Sequence, residues 1–434
     1  MNRRNFLRLT ALSSMGLLTG CAVNPVTGDS QLMLVSENQE IAIDRQNSPH
    51  QFSADYGPLQ DRALNDYIHT TGKSIASRTH RTNMPYSFRG VNATYVNAYA
   101  FPGGSIACTR GILLSLDNEA ELAALLGHEL GHVNARHTAQ QMSKGILVSS
   151  VVGGIAAYAG TESSALGNLA AGLGNIGAGA LLAKYSRDNE RQADALGMEY
   201  MVRSRYSPKG MIGLMDMLRS TSKREPSAIE LMFSTHPMSD ERYKTVVNAA
   251  DSQYRNAGDL PLHRDRYMDH TARLRSMKNA IEEMQKGEKA MAKKDYGAAA
   301  AHFQRALKEA PDDYAGLVMT AKCQLARGNF TEAQRFAGRA REVYPREAQA
   351  YYIGGIAKIK AKNFDAAYAE FRDYEKILPG NPNTVFFKGY SREGMRNQKE
   401  AAQEYKRYLQ IVSEGEQAQY AYQRLVQWGV IRQR

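Results

Sequence analysis

Cysteine is scarce. Three in 434 residues are too few for a disulfide framework, so stability has to come from packing, from repeats or from a metal. No clean apolar run reaches the roughly 20 residues a spanning helix needs, and with 23% charged residues this excludes a polytopic membrane protein. An arginine-rich arm and a DNA-binding motif are both missing, so the net charge of +11 does not point to nucleic acid, and none is expected as a partner. The surplus is local. Residues 281–434 hold 26 Lys+Arg against 19 Asp+Glu, and residues 1–20 hold three Arg and no acid, which leaves the stretch between close to neutral. A basic C-terminal third of this kind suits solubility or the steering of partners. What is present, 43% apolar residues with 9% aromatics, suffices for ordinary cores, and the length suggests two or three domains.

The first twenty residues read as a processed export signal. Arg3, Arg4 and Arg8 precede a short apolar stretch, Leu9 to Leu18, that is too short to span a bilayer. Leu18-Thr19-Gly20-Cys21 resembles a bacterial lipobox, in which Cys21 is lipidated and becomes the mature N-terminus. Arg3-Arg4-Asn5-Phe6-Leu7-Arg8 is similar to a twin-arginine signal, although Asn2 stands where Ser or Thr is usual, and ordinary secretion is the alternative. Ala22 rather than Asp after the cysteine points such a lipoprotein to the outer membrane. The expected location is therefore the periplasm, lipid-anchored. Cys108 and Cys323 then remain, in different candidate domains.

The C-terminal third is periodic. Pro311, Pro345 and Pro379 stand 34 apart, as do Ala299, Ala333, Ala367 and Ala401, and Gly287, Ala321, Gly355 and Gly389. Small residues let paired helices approach closely and each proline closes a second helix, which is the register of a tetratricopeptide repeat. Four repeats are expected over about 280–413, with a capping helix near Gln417 to Trp428. Ser at position 413, in place of Pro, weakens the signal for the last repeat.

Upstream, helical spacing is read over Glu37 to Ile43 and over Pro58 to Ala76, with Pro58 at a helix start. Tyr86 to Tyr95 and Asn97 to Thr109 read as strands, the second interrupted at Phe101-Pro102-Gly103-Gly104 as suits an edge or bulge, and Glu119 to His137 reads as helix. Between Gly145 and Ala183 only Glu162 is charged. Glycines and a polar turn cut that stretch into pieces too short to span, which leaves apolar helices that cover a cleft or dip into a bilayer surface.

The chemistry centres on His128-Glu129-Leu130-Gly131-His132. Residues four apart share a helix face, so His128 and His132 direct two imidazoles at one point while Glu129 stands beside them to take a proton from an attacking water. Solvent-facing histidines are the bland alternative for the motif alone. A protein-held catalytic zinc, one per chain, needs a third ligand, and the candidate is Glu190, with Asp194 one turn later placed to accept the far ring proton of a ligating histidine. His137 reads as a surface residue or one standing behind a ligand.

At this point the chain resembles a known family, the zinc endopeptidases that include HtpX, the yeast-type CaaX prenyl protease, LoiP and BepA. The match is carried by Asn24-Pro25-Val26-Thr27-Gly28, by Asn97-Ala98 through Pro102-Gly103-Gly104, by the histidine motif, by Glu190 to Asp194, and by Ser234-Thr235-His236-Pro237 with Arg242. It covers about residues 22–250, and the appended repeats make the BepA-type members the nearest in architecture. The resemblance implies an α+β, zincin-like, mostly helical domain with a small sheet over 22–255, and the 34-residue period adds, after a connection over 256–280, an all-α repeat solenoid over 281–434. It further implies that Arg242 supports the ligands and that the edge strand Asn97, Ala98, Tyr99 and Ala100 pairs with substrate backbone, which reads main chain rather than side chains.

His236 has three readings: a donor to the developing oxyanion, a fourth zinc ligand that holds the protease off until a client arrives, or a structural residue held by its loop. Two functions from different classes follow. One is an endopeptidase that degrades unfolded or misassembled envelope proteins, its repeats recruiting clients or outer-membrane assembly machinery. The other is a repeat-based chaperone or assembly factor in which proteolysis is secondary or repressed. The free carboxylate at Glu129 favours the enzyme, since a structural zinc needs none and closes its fourth position with Cys or His.

Overall fold

The computed structural model describes residues 21–144, 185–224 and 226–432. The export signal and the apolar stretch 145–183 lie outside the described residues. By compactness the chain forms two units, one of Pro58–Val91 and Tyr95–Leu274 with the chain up to Gln51, the other of Phe52–Gly57, Asn92–Thr94 and Arg275–Arg434. Among the described residues no helix is long and apolar enough to cross a membrane.

The first unit begins with a hairpin, β1 (Cys21–Val23) and β2 (Ser30–Leu32), with Cys21 opposite Leu32. The Asn-Pro-Val-Thr-Gly segment is its turn. Asn24 Oδ1 accepts from the amides of Val26 and Thr27 at 2.8 and 3.3 Å, and Gly28 takes φ 75°, which a side chain would resist. The hairpin and the chain after it are pinned to a helical stretch over 137–144. Gln140 Nε2 donates to Gln31 Oε1 at 2.8 Å, the Leu34 amide to Ser143 Oγ at 2.9 Å, and Arg136 Nη2 to the Val35 carbonyl at 2.7 Å.

Helix α1 (Glu37–Ala54) continues well past the Ile43 expected from spacing and contains Pro49. Helix α2 (Arg62–Ala76) is capped by Asp61, whose Oδ1 accepts from the Leu64 amide at 3.1 Å, and Pro58 precedes it in a bridge to Val91 instead of starting it. Among the described residues two small sheets form where one was expected. In the second, β3 (Ser87–Val91) runs parallel to β5 (Ser105–Thr109), and β4 (Ala98–Ala100) pairs antiparallel on the other side of β5. The Phe101–Gly104 interruption is thus the hairpin turn between β4 and β5, and β4 is the edge strand. The Thr109 amide donates to the Asn97 carbonyl at 3.0 Å and the Phe101 amide to the Ser105 carbonyl at 2.8 Å. Alternation along an antiparallel pair therefore turns the main-chain groups of Ala98 and Ala100 away from β5.

Further helices among the described residues of this unit are α3 (Arg110–Ser115), α4 (Glu119–Asn134), α5 (Arg187–Arg203), α6 (Lys209–Arg224), α7 (Pro226–Thr235), α8 (Asp240–Asp251) and α9 (Arg264–Ser276). Every residue of α4 is buried, so it is the central rod of the unit.

The second unit stacks four helix pairs, α10 (Lys278–Ala292) with α11 (Tyr296–Glu309), α12 (Tyr314–Ala326) with α13 (Phe330–Val343), α14 (Gln349–Lys360) with α15 (Phe364–Ile377), and α16 (Pro382–Gly394) with α17 (Gln398–Leu409). The single helix α18 (Glu416–Gln427) closes the stack. The 34-residue columns have a packing cause. A Cβ on Gly355 would lie 2.6 Å from the Phe371 ring and one on Gly389 2.8 Å from that of Tyr405, so the small column accommodates a large one on the partner helix. A further column went unread in the sequence: Lys294, Gly328, Lys362 and Arg396, 34 apart, all take positive φ, and each is followed by Asp or Asn at the start of the second helix.

Candidate active site

The site is built on the crossing of α4 and α5. Asn118 caps α4, accepting from the Glu121 amide at 3.0 Å. At the far end Asn134 accepts from the Arg81 amide at 2.7 Å and donates to Tyr86 Oη at 3.1 Å. Ser186 and Asn189 form a reciprocal capping box on α5, which places Glu190 in its first turn. Backbones approach closely because small residues face each other. A Cβ on Gly131 would sit 2.9 Å from Ala193 Cα, and one on Gly127 2.8 Å from the Gly197 carbonyl oxygen. With Ala193 against Gly131, Glu190 and Asp194 on the same helix come level with His132 and His128. Gly131→Leu should therefore destabilise the first unit by about 3 kcal/mol, the upper end of ordinary overpacking, and weaken zinc binding as the helices part. Thermal melting and a chelator competition check both, and a variant that matched the native chain in each would contradict this account of the crossing.

His128, His132, Glu190 and His236 converge, each offering a ligand atom within 4.8 Å of all the others. His128 Nε2 lies 3.1 Å from His132 Nε2, 3.5 Å from Glu190 Oε2 and 3.5 Å from His236 Nδ1. Glu190 Oε1 is 3.4 Å from His132 Nε2 and 3.1 Å from His236 Nδ1. Ligands about 2.0–2.1 Å from a tetrahedral zinc stand about 3.4 Å apart, so the set fits that ion in size as well as in donor type. Its electrostatics agree. Asp194 Oδ1 accepts from His128 Nδ1 at 3.0 Å, which leaves a lone pair on Nε2 facing the Glu190 carboxylate, an opposition that a cation between them relieves.

Arg242, in the first turn of α8, braces the acids from behind. Its Nε and Nη2 donate to the two Asp194 oxygens, each at 2.7 Å, and its Nη1 lies 2.7 Å from Glu190 Oε2 and donates to the Pro237 carbonyl at 2.9 Å. Burial pushes the Glu190 carboxyl up, but His236, then His132 and His128, outweigh it and hold the group well below the usual carboxylate range. For Glu129 burial wins. Its carboxyl is pushed up despite His236 and His128, it is fully buried, neither oxygen has a hydrogen-bond partner among the described residues, and His236 Nε2 stands 3.9 Å from Oε1. Burial lowers His132 well below its ordinary value and His137 to about 4, keeping both imidazoles neutral as ligation chemistry requires.

Beside this cluster lies a cleft of about 260 Å³ whose lining includes Tyr95, Asn97, Tyr99, Ala100, Tyr185 and His236. It joins the edge-strand residues to His236. Asn97 Oδ1 is buried there without a hydrogen-bond partner among the described residues. Cys21 heads β1, while Cys108 and Cys323 are buried free thiols.

Two contacts had no sequence signal. Tyr185 stacks on His132 with ring centroids 3.8 Å apart and shares a 3.0 Å hydrogen bond with Thr138 Oγ1. His137 Nδ1 lies 2.9 Å from His132 Nδ1 and its Nε2 2.9 Å from Gln192 Oε1. Five positions along an unbroken helix would turn His137 away from His132. The chain breaks at Ala135 and Arg136, where Arg136 takes φ 58°, and this returns the ring.

Comparison with known proteins agrees with this geometry. Residues 62–250 match the model of peptidase family M48, and residues 290–354 that of the tetratricopeptide repeat. The chain is 30% identical over 242 residues to the beta-barrel assembly-enhancing protease of Yersinia pestis, covering 55% of this chain and 49% of that one. To the protein of that name in Escherichia coli K12 it is 26% identical over 198 residues, covering 44% and 40%. To metalloprotease YcaL of the same organism it is 27% identical over 250 residues, covering 55% and 95%. The chain thus spans about half the length of the assembly-enhancing proteases it matches. Residues 62–250 are thus similar to the zinc-dependent peptidase family M48, residues 290–354 to the tetratricopeptide repeat, and among the described residues His128, His132, Glu190 and His236 form a group able to hold a metal ion.

Proposed function

We propose that the chain is a zinc-dependent endopeptidase of the bacterial cell envelope. The observation that carries this reading is the Glu129 carboxylate, buried and, among the described residues, without a hydrogen-bond partner beside three imidazoles and a second carboxylate. A zinc ion held by His128, His132 and Glu190 supplies a Lewis acid for the scissile carbonyl. Glu129 takes the proton of the attacking water and returns it to the leaving amine. Ala98 and Ala100, with main-chain groups turned away from β5, pair with an extended substrate backbone, and Asn97 Oδ1 accepts from it. Asp194 and Arg242 hold the ligands in place. The expected clients are unfolded or misassembled periplasmic and outer-membrane proteins, recruited by the repeats; the relatives' name, beta-barrel assembly-enhancing protease, supports that choice. Lipidation at Cys21 anchors the chain, on this reading at the outer membrane.

The direct test is casein cleavage by the full chain before and after chelation, with zinc then restored. Activity should vanish and return, and cleavage indifferent to the chelator would exclude the proposal.

A second reading, proteolysis held in check, rests on His236. Its Nδ1 stands 3.1 Å from Glu190 Oε1 and 3.5 Å from His128 Nε2, in the fourth ligand position. The α7–α8 connection presents it there, the His236 amide donating to the Met232 carbonyl at 2.7 Å. In this arrangement His236 is a brake, and His236→Ala should raise basal casein cleavage and self-cleavage while zinc binds more weakly. A roughly hundredfold fall in turnover with zinc retained would instead assign it to the oxyanion.

A further inference from the structure

The two histidines of the motif are supported differently. His128 Nδ1 meets a carboxylate, Asp194 Oδ1 at 3.0 Å, itself held by Arg242. His132 Nδ1 meets another imidazole, His137 Nδ1 at 2.9 Å, whose Nε2 in turn lies 2.9 Å from Gln192 Oε1. His132 and His137 are buried, Gln192 is half-buried, and all three lie within the first unit.

Two directions of hydrogen bonding satisfy this chain of three groups. In the first, His132 Nδ1–H donates to His137 Nδ1, and His137 Nε2–H donates to the Gln192 oxygen. His132 Nε2 then carries a lone pair toward His128 Nε2 and Glu190. In the second, the Gln192 amide turns over and donates its NH2 to His137 Nε2, and His137 Nδ1–H donates to His132 Nδ1. His132 Nε2 then carries its proton into the cluster, where it cannot ligate. The oxygen of Gln192 facing His137 corresponds to the first direction.

We propose that His137 and Gln192 are positioning residues for the metal, a relay of imidazole and amide that fixes His132 in the tautomer able to bind zinc. Because its last member is an amide, either end of which can face His137, the relay sets the donor strength of His132 below that of His128, whose partner is a carboxylate. The weaker ligand of the pair is His132, on the side of the cluster stacked by Tyr185. Residues behind metal ligands commonly change affinity by about 10- to 100-fold when removed, so the relay is measurable as binding.

The inference rests on zinc being bound by this cluster, and the test is made on the full chain without any peptide. Zinc affinity is measured by competition with a chromogenic chelator in the native chain and in His137→Phe, Gln192→Leu and Gln192→Glu, and the melting temperature of each metal-free protein is recorded alongside. His137→Phe keeps the ring and removes the acceptor, and should bind zinc about 10- to 100-fold more weakly. Gln192→Leu should weaken binding by several-fold. Gln192→Glu offers only an acceptor to His137, locks the first direction, and should bind more tightly than the native chain. Metal-free melting temperatures within a few degrees of each other separate this role from simple support of the fold. Native zinc affinity in His137→Phe or in Gln192→Leu overturns the relay, as does a Gln192→Glu chain that binds no more tightly than Gln192→Leu. Should His137→Phe not fold, the two Gln192 variants decide alone, since that side chain is half-buried. A native chain that binds no zinc overturns the relay together with the proposed function, whereas tight native binding with indifferent variants overturns the relay only.

Discussion

Glu129→Gln should leave the chain folded and zinc-loaded while lowering peptide hydrolysis by roughly 10²- to 10⁴-fold. The size of the loss follows from the chemistry of the amide, which has no basic oxygen to take a proton from water at neutral pH. That folding should survive follows from the surroundings. The native carboxylate is fully buried and makes no hydrogen bond with the described residues, so an isosteric neutral group breaks nothing there and removes a desolvated charge. Metal content, casein cleavage and a melting curve on one preparation are sufficient. Near-native cleavage would dismiss Glu129 as the base, and loss of zinc would mean that it belongs among the ligands.

Arg242→Met is expected to cost about 3–5 kcal/mol in the metal-free protein, because it strands two buried carboxylates, Asp194 and Glu190, whose shared cation it removes. The deficit should be smaller with zinc present, since the metal compensates Glu190 but not Asp194. Arg242→Lys should fall between, a single ammonium being unable to span both acids as the guanidinium fork does. Denaturant unfolding with and without zinc reads these differences. Equal deficits in both states would show that Arg242 serves the α8 fold and not the acids.

The parts of this site that were legible in the sequence are those whose geometry is local. His128 and His132 share a face because a helix repeats every 3.6 residues, and the 34-residue columns of the second unit repeat because each small residue must face a large one. Glu190 lies 62 positions from His128, and its place beside the histidines depends on how α4 crosses α5. Only the joint pattern with the histidine motif, and the family resemblance, made it readable. For His137 the sequence left two readings open, surface or behind a ligand, because helical periodicity turns it away from His132; the positive φ at Arg136 brings it back behind that ring. Pro58 was misread: a residue well suited to begin a helix instead bridges Val91, and Asp61, with a carboxylate to cap the amides, takes the start. The Asn-Pro-Val-Thr-Gly segment matched by resemblance alone until its hydrogen bonds identified it as a hairpin turn.

That hairpin bears on where the enzyme can work. Cys21 is the first residue of β1, and ten positions later Gln31 is already bonded to Gln140, three residues past His137. Ten residues of loose chain would reach about 35 Å, but folded back on themselves as a hairpin they give almost no slack. With a lipid on Cys21, the scissors are bolted to the bench and not hung from a cord. On the proposal of a lipidated Cys21, so short a tether would hold this domain close to the leaflet and confine its search for clients to a layer next to the lipid.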